Sequence, residues 1–314
     1  SSPSRSEAAV GSLAASGHER FSKPAGMMGA MDSTSVMTAP LLRTDGSRTT
    51  LQDELGPRAT VEVDLGRGFT AVAAYGKGFR SPQARSLEEG ENAPFAKVKS
   101  YEAGIKLTDR TRLSLTAIAY ETRLSYDLAF DAVEGALARI GPTTRRGLVG
   151  YFQASPMEGF TSSLSATYVH ATLDAPPPAT PSNPSPPFIQ GQQLPFVPPV
   201  VVRADVGYRR VLTRLGNKPL EGRAGYGMTF LSPRPLPYGE TAPAVFLADA
   251  SLGFRRDFVE ISAEALNLLN ARYADTEYSF VSNWQTKAVP SMIPARHISA
   301  GEPFTLLVTA TLYL

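Results

Sequence analysis

Apolar and polar side chains alternate along most of the chain from residue 58 onward. At residues 58–65, for example, Ala59, Val61, Val63 and Leu65 occupy every second position, and Thr, Glu or Asp stands between them. Successive side chains of a strand point to opposite faces, so this pattern predicts strands with one apolar and one polar face. The strands predicted in this way cover residues 58–65, 69–77, 99–108, 111–123, 147–155, 160–172, 200–209, 220–230, 246–255, 259–265 and 304–314.

The predicted strands are long. They number about eleven to twelve, and most of them have about 9 to 13 residues, whereas an ordinary strand has about five or six. A tilted strand needs about 9 to 11 residues to cross a bilayer, and aromatic residues such as Phe69, Tyr168 and Phe254 stand near strand ends. We therefore predict an all-β fold, an antiparallel transmembrane β-barrel. A soluble sandwich or solenoid is the structural alternative, because its strands also alternate.

The connections between strands differ in length at the two strand ends. The predicted tight turns lie near Gly66, Asp109, Glu158, Gly216 and Asp257. The predicted long loops cover residues 79–98, 124–146, 174–199, 231–244 and 278–302. Outer-membrane barrels have short periplasmic turns and long extracellular loops, so the long loops are predicted to be external.

Residues 1–43 show no countable period, and we predict that they are irregular or disordered. A polar loop is predicted to follow up to residue 55. If the C-terminus is periplasmic, eleven strands place the start of the first strand outside, so one more strand is expected upstream of residue 58. An incomplete barrel would leave open strand edges, which are not viable in lipid. Either a strand within the first forty residues closes a twelve-stranded barrel, or the chain is the C-terminal part of a larger barrel.

Composition narrows the function classes. No apolar run reaches about 18 residues, which excludes a helical membrane protein. The net charge of +2 gives no sign of nucleic-acid binding, and the absence of cysteine excludes disulfides, thiolate metal sites and cysteine nucleophiles.

Catalytic and metal-binding patterns are weak. His18, His170 and His297 are far apart and lack metal-ligand spacing. Ser165 stands five positions from His170, which places the two side chains on opposite faces of a strand, and no nucleophile elbow occurs. We predict no enzyme activity, no cofactor and no metal site. His170 and His297 lie where either could touch a ligand, although a solvated polar role is the simpler interpretation.

Charged residues fall on the polar face of the predicted strands, where they would border a wet lumen or a plug. They are Glu62, Asp64, Arg203, Asp205, Glu221, Arg223, Asp249, Glu260 and Glu264. Ligand specificity is expected in the external loops, with Arg80, Tyr278 and Trp284 as candidate ligand-binding residues.

Three short motifs stand beside the predicted strands. The segment 75–82 reads Tyr-Gly-Lys-Gly-Phe-Arg-Ser-Pro, and the segment 98–106 reads Val-Lys-Ser-Tyr-Glu-Ala-Gly-Ile-Lys. The segment 267–273 reads Asn-Leu-Leu-Asn-Ala-Arg-Tyr. Together these motifs resemble the C-terminal barrel half of TonB-dependent outer-membrane receptors, in which a motif like 267–273 follows the penultimate strand. The motif residues that we single out are Gly78, Phe79, Arg80, Ser81, Pro82, Tyr101, Glu102, Gly104, Asn267, Asn270 and Tyr273.

The resemblance covers residues 44–314 and implies that they are the C-terminal part of a barrel of about 22 strands. It implies uptake of a scarce ligand such as a siderophore or cobalamin, in the outer membrane of a Gram-negative-type envelope. The implied partners are outer-membrane lipid, the small-molecule ligand and the TonB complex, the last through a plug that we expect not to be present in this chain. A self-contained small barrel that acts as a passive channel or structural protein is the alternative function.

Overall fold

The computed structural model describes residues 28–32, 35–43, 46–54, 56–80, 96–109, 112–131, 136–176, 188–283 and 293–313. Within these residues, no helix is both long enough and apolar enough to cross a bilayer. A short 3-10 helix covers Pro237–Gly239. The strands are β1 (Met28–Asp32), β2 (Ser35–Arg43), β3 (Gly46–Glu54), β4 (Arg58–Gly66), β5 (Phe69–Arg80), β6 (Ala96–Asp109), β7 (Leu113–Asp131), β8 (Ala136–Ala154), β9 (Phe160–Leu173), β10 (Val200–Leu215), β11 (Lys218–Leu231), β12 (Arg234–Pro235), β13 (Thr241–Ala242), β14 (Val245–Arg256), β15 (Val259–Leu266), β16 (Ala274–Ser282), β17 (Ile293–Ala300) and β18 (Thr305–Leu312).

One antiparallel sheet contains twelve of these strands, in the order β1-β4-β5-β6-β7-β8-β9-β10-β11-β14-β15-β18. From β4 onward, each strand of this sheet pairs with the next strand of the sheet along the chain, as expected for an up-and-down barrel wall. The pairs β2–β3, β12–β13 and β16–β17 form separate two-stranded sheets. The predicted all-β antiparallel fold is confirmed.

The N-terminal part contains strands that the alternation of apolar and polar residues does not predict. β1 pairs with β4 from Met28↔Glu62 to Asp32↔Arg58, which supplies the upstream strand that the strand count required. β2 pairs with β3. The prediction that residues 1–43 are irregular is therefore wrong for 28–32 and 35–43, and the predicted polar loop contains β3. The division of the chain at residue 43 stays a prediction, and His18 lies outside the described residues.

The predicted loop at residues 124–146 is also wrong in large part. β7 continues to Asp131 and β8 begins at Ala136, so the two strands form an extended hairpin. The pairing register shifts on both sides of Asp127, and Gly141 has a φ of 88°. These irregularities interrupt the two-residue period, which is why the alternation did not reveal the hairpin. The predicted loop at 278–302 similarly contains most of β16 and β17.

The two ends of the sheet differ as predicted. The turn end carries the short connections at residues 66–69, 109–113, 154–160, 215–218 and 256–259. The long connections between strands of this sheet begin and end at the loop end, at residues 80–96, 173–200, 231–245 and 266–305, and the tip of the β7–β8 hairpin lies at the same end. The predicted asymmetry of turns and loops is confirmed.

The two faces of the sheet differ in chemistry. On the apolar face, Tyr101 is 47% exposed, Leu252 is 50% exposed and Val308 is 69% exposed. On the polar face, Arg203 Nε donates hydrogen bonds of 2.9 and 3.0 Å to the carboxylate of Asp205. A sheet-wide exposed apolar surface is costly in water and favourable in lipid, so this wall is typical of a transmembrane barrel.

Tyr313, the residue that follows β18, anchors the turn end of the last strand. The Tyr313 hydroxyl donates a 2.8 Å hydrogen bond to Glu260 Oε2, and this bond raises the pKa of Tyr313. Glu260 also accepts from Arg223 at 2.6 Å, and the guanidinium of Arg255 stacks 4.2 Å above the Tyr313 ring.

Candidate functional site at the loop end

A cavity of about 490 Å³ opens at the loop end of the sheet. Strands β5, β7 and β8 contribute one side of it, and residues 194–197, β12 and β16 contribute the rest. We call it the vestibule. It is lined by Arg80, Asp127, Leu128, Ala129, Arg145, Leu194, Pro195, Phe196, Val197, Arg234, Asp275, Thr276, Glu277 and Tyr278.

Asp127 is the charged centre of the vestibule wall. Its side chain is only 2% exposed, yet it bonds two arginines that are 41% and 31% exposed: Arg80, at 3.3 Å, and Arg145. Thr143 Oγ1 donates a 3.1 Å hydrogen bond to the same carboxylate, and the Leu128 amide donates one of 2.9 Å. A buried carboxylate is stable only when it is paired and hydrogen-bonded, and here it holds two guanidinium groups at the surface of the cavity.

A small apolar core supports the vestibule. Ile140, Ala171, Leu173 and Leu194 are buried against one another at the loop end. The Leu194 amide donates a 2.8 Å hydrogen bond to the Ala171 carbonyl, and the Phe196 amide donates one of 2.8 Å to the Pro235 carbonyl. These contacts fix the segment 188–199 across the polar face instead of leaving it in solvent.

The opposite wall combines an aromatic pair with a buried acid. The rings of Phe196 and Tyr278 meet edge to face with centroids 5.8 Å apart. Glu277 is 1% exposed and forms an ion pair with Arg296. Within the described residues, no hydrogen bond of ordinary geometry reaches either carboxylate oxygen of Glu277.

The structure brings two of the three predicted ligand-binding candidates into this one cavity. Arg80 and Tyr278 both line the vestibule. Trp284, like Ser81 and Pro82 of the motif, lies outside the described residues. The vestibule also contains four charged residues that were not predicted, Asp127, Arg145, Arg234 and Glu277, because a single charged residue outside a motif gives no spacing signal.

The two described histidines do not line the vestibule. His297 lies in β17, stacks on Phe280 with ring centroids 4.0 Å apart and shares a 2.9 Å hydrogen bond with Ser282. His170 pairs with Arg146 across β8 and β9 and faces away from the Ser165 side of the sheet. In the described part of the chain, no group of three or more His, Asp or Glu side chains is arranged to hold a metal ion.

The 267–273 motif joins three strands at the foot of the β16–β17 hairpin. The Asn267 side chain, in a residue only 4% exposed, donates hydrogen bonds of 2.9 Å to the carbonyls of Ala271 and Glu302. It also accepts a 2.8 Å bond from the Ala271 amide. The Asn267 amide donates to Asp249 at 3.0 Å, and Asn270 Oδ1 accepts from the Phe304 amide at 3.1 Å.

Asn267 and Asn270 both have a φ of 47°, a conformation that asparagine tolerates better than most residues. Tyr273 completes the junction, because its carbonyl accepts a 2.9 Å hydrogen bond from the amide of Gly301 and its ring occupies the space that a side chain at Gly301 would need. The motif therefore has a structural role, which is to hold the hairpin that carries Tyr278.

The motif around residues 78–104 packs β5 against β6 and β7. The rings of Tyr75 and Tyr101 lie 5.1 Å apart on the apolar face. A side chain at Gly104 would overlap the backbone of Ala117, so glycine is required for the close β6–β7 approach. Glu102 Oε1 accepts a 3.2 Å hydrogen bond from Ser100 on the polar face. Gly78 and Phe79 pair with Val98 and Lys97 and bring Arg80 to the vestibule.

Comparisons with known proteins agree with this architecture. A family profile described as "TonB dependent receptor-like, beta-barrel" matches residues 32–268. No curated protein sequence is significantly similar to the chain.

Several solved structures share the fold at low sequence identity. The closed form of the ferric-catecholate import receptor Fiu from E. coli K12 matches with a TM-score of 0.61 and 16% identity, over 85% of this chain and 36% of that one. The ferric yersiniabactin uptake receptor FyuA from Yersinia pestis matches with a TM-score of 0.62 and 15% identity, over 85% and 38%. The siderophore receptor PiuA from Acinetobacter baumannii matches with a TM-score of 0.62 and 15% identity, over 87% and 38%. The chain thus spans less than two fifths of these proteins.

Proposed function

Because the chain belongs to the TonB-dependent receptor-like β-barrel family, we propose that it forms part of the wall and the ligand vestibule of an outer-membrane uptake receptor. The loop end then faces the cell exterior, and the apolar face contacts lipid. The vestibule is the observation that carries the proposal, because its cavity of about 490 Å³ lies where a ligand would arrive from outside.

The chemistry of the vestibule suits a small molecule that carries anionic groups and an aromatic ring. Arg80 and Arg145 bond Asp127 but keep 41% and 31% of their side chains exposed, and Arg234 adds a third guanidinium group to the lining. Guanidinium groups bind carboxylates and similar oxygen anions through paired hydrogen bonds. Phe196 and Tyr278 offer ring faces and edges. Metal-carrying siderophores combine such groups, and the similar solved structures include receptors for ferric-catecholate and ferric yersiniabactin. We propose a metal–siderophore complex as the substrate class.

Energy coupling through TonB is part of the proposal. A plug inside the barrel would border the polar face, where Arg203 bonds Asp205 and also donates hydrogen bonds to Thr229 at 2.9 Å and to Asp249 at 3.3 Å. These charged groups are stable in a wet lumen or against a polar plug and would be costly in lipid. The proposal assigns transport rather than catalysis to the protein.

Uptake of radioactive iron by whole cells tests the proposal. The full-length protein is expressed in a host that lacks its own ferric-siderophore receptors, with and without TonB, and a panel of ferric siderophores is supplied. We expect uptake of at least one complex only when TonB is present. TonB-independent uptake, together with ion conductance in planar bilayers, would instead support a passive channel.

A matched pair of variants locates uptake in the vestibule. Arg80→Gln removes one guanidinium from the cavity, and the loss of a charge-assisted hydrogen bond should weaken binding about tenfold or more. Arg210→Gln removes a guanidinium near the turn end of β10, on the apolar face, and should leave uptake unchanged. Equal uptake by both variants would show that the ligand binds outside the vestibule.

A further inference from the structure

A row of like charges crosses the loop end of the apolar face. Lys77 of β5 is opposite Lys99 of β6, and Lys99 is opposite Arg123 of β7. All three side chains are exposed. Directly opposed like charges destabilise a sheet, so three in a row need a reason. An anion that binds across the row would remove the repulsion.

The neighbouring row neutralises only part of this charge. Glu121 Oε1 accepts from Arg123 at 2.6 Å, and Glu121 Oε2 accepts from Arg146 at 2.6 Å. One carboxylate therefore lies between two guanidinium groups, which are 57% and 63% exposed. Lys77 and Lys99 have no ion-pair partner within the described residues. We call the set Lys77, Lys99, Arg123 and Arg146 the cationic cluster.

An apolar groove begins directly beside the cationic cluster, toward the turn end. It has a volume of about 530 Å³ and is lined by Ala103, Ala117, Ala119, Leu148, Ala166 and Tyr168, among others. Ala119 and Leu148 are paired across β7 and β8, two residues from the pair Glu121↔Arg146. Small side chains on β6, β7 and β9 leave a depression, and Leu148, 57% exposed, and Tyr168, 48% exposed, flank it.

The combination identifies one class of ligand. A soluble phosphate compound would use the cations and leave the groove empty, and an acyl chain alone would use the groove and leave the charge repulsion in place. A phosphorylated lipid uses both at once. The groove lies in the interior of the sheet, on β6 to β9, and so does not offer the strand edge that another β-protein would pair with.

We propose that the cationic cluster and the groove together bind one phosphorylated, acylated lipid of the outer leaflet. Its phosphate contacts Lys77, Lys99 and Arg123, and one acyl chain occupies the groove. The Tyr75–Tyr101 pair lies between the cations and the apolar wall, at the level where aromatic rings border a lipid headgroup region. The inference rests on the outer-membrane placement given above, and it does not rest on ligand uptake.

Native mass spectrometry of the full-length protein in detergent tests the site. The protein is titrated with lipid A, a diphosphorylated acylated glycolipid, with its dephosphorylated form and with phosphatidylcholine. We expect a 1:1 complex with lipid A. Because each cation near an anionic headgroup contributes about fivefold in affinity, Lys77→Gln combined with Lys99→Gln should weaken this complex about 25-fold.

Three further variants separate charge, groove and general effects. Lys77→Arg combined with Lys99→Arg keeps the charge and should keep the affinity. Ala119→Phe fills the groove and should weaken binding without a change in net charge. Arg210→Gln, on the same face near the turn end, should bind like the wild type.

Three outcomes would overturn the proposal. They are equal affinity for the phosphorylated and dephosphorylated lipids, wild-type affinity of the Lys77→Gln and Lys99→Gln double variant, and a protein dimer in place of the lipid complex. A protein that binds lipid A and imports no siderophore would disprove the proposed substrate and leave this site standing. A protein that imports a siderophore and does not bind lipid A would disprove this lipid site and leave the proposed substrate standing.

Discussion

Asn267→Ala should loosen the junction that holds the β16–β17 hairpin to the barrel wall. The Asn267 side chain makes three hydrogen bonds, two to the backbone of Ala271 and one to the carbonyl of Glu302. Alanine makes none of them and leaves three backbone groups without these partners. It must also adopt the positive φ of 47° that asparagine tolerates.

The free energy of unfolding should fall by about 4 kcal/mol, from about 1 kcal/mol for each lost hydrogen bond and about 1 kcal/mol for the backbone conformation. Asn270→Ala is the matched control, because Asn270 has the same φ and its side chain makes one bond, to the Phe304 amide. By the same reasoning, Asn270→Ala should lower the free energy of unfolding by about 2 kcal/mol. Asn267→Gly keeps the backbone conformation available and should cost about 1 kcal/mol less than Asn267→Ala.

Denaturant unfolding of the full-length protein in lipid vesicles measures these differences. Folded and unfolded protein are separated by gel mobility without heating, and the midpoints and slopes give the free energies. If Asn267→Ala unfolds within about 0.5 kcal/mol of the wild type, a range typical of ordinary surface changes, the junction does not depend on this side chain and the reasoning fails.

Two other pairs of variants test the sheet itself by the same unfolding assay. Gly104→Ala places a side chain against the backbone of Ala117 and should lower the free energy of unfolding by about 2 kcal/mol or more. Gly76→Ala, whose nearest contact is 3.8 Å away, should leave it nearly unchanged. Equal effects of the two variants would contradict the close β6–β7 approach. Val308→Arg places a charge on the apolar face and should cost about 2 to 4 kcal/mol, while Thr309→Arg on the polar face should be tolerated. A reversed order would mean that the faces are assigned wrongly.

The sequence predicts the strands of the membrane wall well, because lipid on one face and a wet lumen on the other require strict alternation. The requirement ends where a strand leaves the bilayer and both of its faces meet water. In the proposed membrane placement the loop-end halves of β7 and β8 lie in such a region, and the register shifts at Asp127 break the period further. The strands β1 to β3 were missed because none of them alternates: β1 has only five residues, β2 contains Pro40 and adjacent apolar residues such as Leu41 and Leu42, and β3 is polar at almost every position.

The sequence predicted two residues that line the vestibule but not the cavity itself. Arg80 and Tyr278 were proposed because of their places in external loops, and both line the cavity. Asp127 pairs with Arg80 and Arg145 pairs with Asp127, although they lie 47 and 65 positions along the chain from Arg80, and only the pairing of β5 to β8 brings these three residues together. Sequence spacing does not reveal contacts that depend on the register of several strands.

Lipid exposure along β10 tests the central claim most directly. The 314 residues contain no cysteine, so single cysteines can be placed at Arg203, Ala204, Asp205 and Val206, any cysteine elsewhere in the full-length protein being replaced by serine, and labelled with a fluorophore in lipid vesicles. The proposed barrel wall predicts that lipid-bound quenchers act at positions 204 and 206, and that a water-soluble quencher acts at 203 and 205. Uniform quenching by the water-soluble reagent at all four positions would contradict a membrane-spanning barrel wall.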